Sequence, residues 1–179
     1  MVLLTLKKRV KVNNFYFGCT LLLFYSSVFN SKKALFYFIL FLYLKLDSCQ
    51  FIDSHMLWII STNCTQLTHL SMQSCNNIGF RENDVGFKEL RHLKNLIGLD
   101  LYRTLVDQES MIEILKSCKN LKHLNLGSCV RIIDFDEILQ AIAQYCTGIV
   151  SLDLWRAYSL TAKGLFFLTC YFLINKIEN

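Results

Sequence analysis

CTQLTHLSMQSC, residues 64–75, recurs three times downstream: as LKNLIGLDLYRT from Leu93, CKNLKHLNLGSC from Cys118 and CTGIVSLDLWRA from Cys146. The steps between copies are 29, 25 and 28 residues. Each copy fits the frame C-x2-L-x2-L-x-L-x2-C, with Leu93, Thr104 and Ala157 standing in for a terminal Cys. Self-similarity at a period in the twenties, with leucines alternating in its centre, is the signature of leucine-rich repeats. Such units stack on their neighbours into a quasi-one-dimensional array that offers an extended binding surface. The expected fold class is α/β: a leucine-rich-repeat solenoid with a parallel β-sheet on the concave side and helices on the convex side.

The third copy shows how one unit is built. Leu124 and Leu126 alternate with His123, Asn125 and Gly127, the period-2 pattern of a short strand with one buried face. Cys129 and Ile132 turn the chain inward. IIDFDEILQAIAQYC follows, with Ile138, Ile142 and Cys146 four residues apart on one helical face. Asp134 and Asp136 sit where an N-cap or first-turn acid favours a helix. The second copy runs on into LVDQESMIEILKSC, a helix carrying Ile112, Leu115 and Cys118. The fourth runs into YSLTAKGLFFL, where Leu160, Leu165 and Leu168 open another. A longer segment, NNIGFRENDVGFKELRHL, follows the first copy and reads as polar, then helical. Upstream, LWIISTNC reads as the tail of an earlier helix.

Charge divides the chain. Residues 1–46 hold seven of the nineteen Lys and Arg and none of the fourteen Asp and Glu, whereas the remainder is nearly balanced. A repeat region so close to neutral offers no basic stripe, which argues against nucleic acid as its partner. Three parts follow: an apolar, basic head (1–56), the repeats (57–168) and a tail (169–179). In the head, TLLLFYSSVF and ALFYFILFLYL are interrupted at Ser31-Lys32-Lys33, each short of the roughly 20 apolar residues that cross a bilayer. The head has three readings: a targeting segment or anchor in contact with a membrane, a genuine cap, or translated non-coding sequence at the edge of a gene model. The last reading draws on composition, since the head and FFLTCYFLINKIEN use mainly Phe, Leu, Tyr, Ile, Asn, Lys and Ser, residues with AT-rich codons.

The chain has eight cysteines, and Cys64, Cys75, Cys118, Cys129 and Cys146 fall at frame positions that point into the core. Because Leu93, Thr104 and Ala157 replace them elsewhere, these positions call for a small or apolar group. No C-x2-C pair occurs, and the eleven-residue intervals do not match zinc-ligand spacing. Reduced, buried thiols imply an intracellular compartment. His69 and His123 share one lateral row but stand two strands apart, about 10 Å, too far to share one metal. No Ser/His/Asp set, Gly-rich phosphate loop or H-x3-H motif appears, so neither metal, cofactor nor catalysis is expected.

If Leu70/Met72, Leu99/Leu101, Leu124/Leu126 and Leu152/Leu154 face the core, their alternates face outward in rows. These are His69, Gly98, His123, Ser151; then Ser71, Asp100, Asn125, Asp153; then Gln73, Tyr102, Gly127, Trp155, with Arg103 and Arg156 following. Asp-Leu-Tyr-Arg and Asp-Leu-Trp-Arg thus set acid, aromatic and guanidinium together twice, and exposed Tyr, Trp and Arg dominate binding hot spots. The expected protein-binding face is Asp100, Tyr102, Arg103, Asn125, Asp153, Trp155 and Arg156. The competing expectation packs Trp155 under a loop and leaves the Asp and Arg side chains as solvated decoration.

The cysteine-containing frame, with Ile132-Ile133-Asp134 and Leu160-Thr161-Ala162-Lys163-Gly164-Leu165 as its continuations, resembles the repeats of the F-box/leucine-rich-repeat family. The resemblance covers about residues 63–165. It implies the substrate-recognition part of a Skp1–cullin–F-box (SCF) ubiquitin ligase, whose F-box docks on Skp1 while the repeats hold a protein substrate for ubiquitin-dependent degradation. It also implies a cytoplasmic or mitochondria-associated location. The chain contains no proline, whereas an F-box opens on Leu-Pro. Skp1 and cullin would therefore be reached only through an F-box missing from these residues. The alternatives are a membrane-anchored repeat scaffold unrelated to ubiquitin and an incomplete gene product.

Overall fold

The computed structural model describes residues 9–12, 15–18, 42–80 and 86–177. The readings of the head that rest on TLLLFYSSVF and on most of ALFYFILFLYL lie outside the described residues.

Five three-residue strands make a parallel ladder: β3 (Tyr43–Lys45), β4 (His69–Ser71), β5 (Gly98–Asp100), β6 (His123–Asn125) and β7 (Ser151–Asp153). Beside β3, β1 (Arg9–Val12) and β2 (Phe15–Gly18) add antiparallel, giving the order β2-β1-β3-β4-β5-β6-β7. Between the parallel strands run α1 (Ser54–Asn63), a 3-10 helix (Gly86–His92), α2 (Gln108–Ser117) and α3 (Phe135–Tyr145), with α4 (Ala162–Ile177) after β7. Consecutive helices pack on one another, so strands and helices form two layers.

The ladder begins earlier than the frame read from sequence. Leu44, Leu46 and Cys49 are buried at the places of Leu70, Met72 and Cys75, and β3 pairs with β4 residue for residue. Part of residues 1–56 is thus a repeat rather than a separate head. At the other end, α4 runs through the boundary drawn at 168. It packs inward through the buried Gly164 and the half-buried Leu168, with Leu165 50% exposed. In α2 the buried face is Met111, Ile114 and Leu115, and Ile112 is only half-buried.

Each repeat turns at one residue with left-handed backbone: Ser48, Ser74, Arg103, Ser128 and Arg156, with φ from 55 to 61°. The N–H of the next residue closes the turn on the carbonyl three back, as in Thr104 to Leu101 (3.1 Å) and Cys129 to Leu126 (3.3 Å). A turn whose third residue has φ above zero reverses the chain off the sheet towards its helix. Caps fix where three of the helices start. Asp53, Asp107 and Asp134, all extended, accept the N–H of Met56, Ser110 and Glu137 at 2.8, 2.9 and 3.1 Å. Each such cap is worth about 1 kcal/mol.

The cysteines join helix ends to strands. Cys64, Cys118 and Cys146 cap α1, α2 and α3, their N–H groups donating to Ile60, Ile114 and Ile142. Their thiols do more than fill space. The Sγ of Cys75 and Cys129 donate to the carbonyls of Leu46 (3.0 Å) and Leu101 (3.1 Å), one repeat back. Cys118 and Cys146 reach Leu93 and Leu115 in the same way, at 3.4 Å each. Weak donation to a neighbour's carbonyl distinguishes Cys from the Ala or Leu found at equivalent places. Cys49, Cys64, Cys75, Cys118, Cys129 and Cys146 are all buried, and Cys64, Cys118, Cys129 and Cys146 are free thiols.

Burial pushes the thiols of Cys64 and Cys118 up to about 12, and those of Cys129 and Cys146 to about 11. A group with a raised pKa binds its proton more tightly when folded, so its contribution is complete below pH 9 and is lost as pH rises through 11–12. Chemical denaturation is therefore expected to show stability falling from pH 9 upward. Iodoacetamide at pH 8 should leave these four thiols unmodified until denaturant is added; alkylation of Cys129 in the folded chain would contradict the packing.

Candidate protein-binding face

Register sets the rows. Tyr43, His69, Gly98, His123 and Ser151 lie side by side, as do Lys45, Ser71, Asp100, Asn125 and Asp153. Between them Leu44, Leu70, Leu99 and Leu124 are buried on the helix side, and Leu152 on the edge strand is half-buried. Hydrogen bonding continues past the strand ends. Ser74 N–H donates to Tyr102 O (2.8 Å), Arg103 N–H to Gly127 O (2.9 Å) and Ser128 N–H to Trp155 O (2.7 Å). Gln73, Tyr102, Gly127 and Trp155 thereby form a third row.

The acids of this face serve the turns. Oδ1 of Asp100, Asn125 and Asp153 accepts the N–H two residues on, from Tyr102 (3.0 Å), Gly127 (3.0 Å) and Trp155 (2.9 Å). These are Asx turns, in which a short side chain substitutes for a backbone carbonyl. The pattern was present in the sequence as Asp-Leu-Tyr, Asn-Leu-Gly and Asp-Leu-Trp. The grouping of Asp with Arg does not become an ion pair: among the described residues, neither Asp100 nor Asp153 pairs with a basic side chain. Each carboxylate is turned onto its own backbone, and Arg103 and Arg156 occupy the left-handed corner beyond, both exposed.

Tyr102 and Trp155 flank Gly127. A Cβ on Gly127 would lie 2.9 Å from Tyr102 Cδ2 and 3.3 Å from Trp155 Cβ. Glycine alone leaves room for the half-buried Tyr102 ring beside Trp155, which is 63% exposed and not packed under a loop. Of the seven expected residues, Asp100, Asn125 and Asp153 stand on one row of the sheet. Asp100, Asn125 and Asp153 line an open groove of about 900 Å³; Tyr102, Arg103, Trp155 and Arg156 are not among its walls but follow at the strands' C-terminal ends.

The groove's other end was not anticipated. Tyr43 stacks on His69 with ring centroids 4.3 Å apart and planes 8° from parallel. The His69 ring leans over Gly98, whose added Cβ would come within 2.6 Å of Cδ2. Its Nδ1 lies 3.0 Å from Thr68 Oγ1. Burial, then the proximity of His123, hold the His69 imidazole below its ordinary value. Among the described residues no three His, Cys, Asp or Glu side chains gather to hold a metal.

Another unanticipated feature braces the last repeat. Asp136, buried on α3, accepts the Thr161 N–H at 2.8 Å and the Thr161 hydroxyl. These bonds, the side-chain one foremost, hold its carboxyl below the usual range. Gly164 sits against the same carboxylate, where a Cβ would meet Oδ1 at 2.4 Å. The Leu-Thr-x-x-Gly-Leu motif thus docks α4 on α3.

With this geometry in view, relatives can be compared. The chain is similar to an F-box/LRR-repeat protein. F-box/LRR-repeat protein 4 of Bos taurus is 37% identical over 122 residues, which is 68% of this chain and 19% of that protein. The chain thus spans about a fifth of the length of this F-box/LRR relative. No family model matches the chain. Among solved structures, the Caenorhabditis elegans tropomodulin C-terminal domain superposes with a TM-score of 0.57 at 9% identity, covering 76% of this chain and 84% of that one. Leiomodin-1 actin-binding site 2 gives 0.59 at 12% identity, covering 76% and 82%. At such identities the likeness is one of fold: an α/β repeat of parallel strands backed by helices.

Proposed function

We propose that this chain is a protein-binding leucine-rich-repeat solenoid, the substrate-recognition part of an SCF-type ubiquitin-ligase adaptor. Its sheet forms the concave side and its helices the convex side. The single observation that carries the reading is the side-by-side repetition of Asp100-Tyr102-Arg103 and Asp153-Trp155-Arg156 across the cleft at Gly127. Similarity to an F-box/LRR-repeat protein supports the ubiquitin assignment, and Skp1 and cullin would be engaged through an F-box outside the similar repeats. The chain binds and positions a protein for degradation, without catalysis or a cofactor of its own. Free, buried thiols suit a reducing, intracellular compartment. Among the described residues no helix is long and apolar enough to cross a membrane.

The test compares two faces. Trp155→Ala and Arg156→Ala should each lose at least about 1 kcal/mol of partner affinity, roughly fivefold, with unchanged circular dichroism. Glu113 and Lys116, paired at 3.0 Å on α2, supply the control. Their alanine variants should retain wild-type capture of ubiquitin-conjugated partners after proteasome inhibition, quantified by mass spectrometry. Loss through α2 with retention through Trp155 would put the partner on the helix side and end this assignment.

A further inference from the structure

The groove has a charge pattern that its hydrogen bonds leave unanswered. Three of its lining residues are formally charged at neutral pH: Lys45, Asp100 and Asp153. Lys45 is held by Asp47 at 2.8 Å. Asp100 is bonded to the neutral Tyr102 N–H and Gln73 amide, and Asp153 to the neutral Trp155 N–H. Among the described residues neither acid has a cation within ion-pair distance. They lie on one row with Asn125 between them, about 10 Å apart given two strand spacings.

We infer that this face receives an extended, basic protein segment, with two cationic side chains seated on Asp100 and Asp153. The inference rests on the protein-binding reading above and names the chemistry of the partner. A polyproline-II segment rises about 3.1 Å per residue with three residues per turn, so its residues i and i+3 point the same way about 9 Å apart. That spacing matches the two acids. Tyr102 and Trp155 follow along the same strands, and aromatic faces attract the same cations.

The test uses the full chain and a fluorescein-labelled proline-rich peptide with lysines at i and i+3, alongside a twin bearing glutamates there. Anisotropy at pH 7.5 should show the lysine peptide binding at least tenfold more tightly. Asp100→Asn with Asp153→Asn keeps the oxygen that accepts each turn N–H, so the fold should hold while the preference disappears. Equal binding of the twins, no binding of the lysine peptide or indifference to the Asn pair would each overturn the inference. If Trp155→Ala still weakens partner capture in those cases, the protein-binding face stands and only the basic-segment assignment falls.

Discussion

Cys129→Asp is expected to unfold the repeats, and Cys129→Ala to leave them folded but weakened. Cys129 is 2% exposed, with its Sγ 3.1 Å from the carbonyl of Leu101 and 3.8 Å from the Thr104 hydroxyl. Removing the sulfur leaves a small cavity and takes one weak donor from the Leu101 carbonyl, which keeps the Thr104 N–H and hydroxyl, so the cost should be around 1 kcal/mol or somewhat more. A carboxylate there would instead point negative charge at carbonyl oxygens, with only the Thr104 hydroxyl to donate. Burying an uncompensated ion costs several kcal/mol. That is a large share of the 5–15 kcal/mol typical of a domain. Urea unfolding should therefore show a lower midpoint for the Ala variant and no cooperative transition for Asp. A folded Asp variant would mean that the position is open to water.

Gly79→Val should be the most damaging substitution at a glycine. Gly79 has φ +75°, and a Cβ there would fall 2.6 Å from the backbone oxygen of Leu105. Left-handed backbone costs an L-residue roughly 1–2 kcal/mol, and overpacking adds typically 1–3 kcal/mol. The obstacle is main chain of the next repeat, which cannot swing aside, so a loss of about 3 kcal/mol is expected. Gly148 is the contrast, because its nearest neighbour would be 3.9 Å away and no positive φ binds it. Gly148→Ala should be near neutral in the same urea titration. Equal effects at the two sites would refute the contact between the first loop and the next repeat.

The parts of this fold legible in sequence are those that alternate. Leucines at 70, 99 and 124 against His, Gly, Ser, Asp and Asn gave strand, register and outward rows, because a period of two fixes which side each residue takes. The repeat at Leu44-Lys45-Leu46 was hidden by its surroundings. In YFILFLYLKL nearly every position is apolar, so alternation disappears although Cys49 stands at the frame position. The candidate face was legible as residue types but not as interactions. The sequence sets each Asp three residues before an Arg, whereas the Asx turns turn each acid onto its own chain and the left-handed corner carries each Arg past it. The Tyr43–His69 stack and the Asp136–Thr161 brace join residues about 25 apart in sequence, and spacing alone could not pair them.

The central claim is that the sheet side, and not the helix side, holds the protein partner. Incorporating a photocrosslinking amino acid at Trp155, at Tyr102 and separately at Glu113, then irradiating in cells, reads this directly. The account predicts the same protein adduct from positions 155 and 102, ubiquitin-conjugated and increased by proteasome inhibition, and none from 113. Adducts from 113 with silence at 155 and 102 would contradict it.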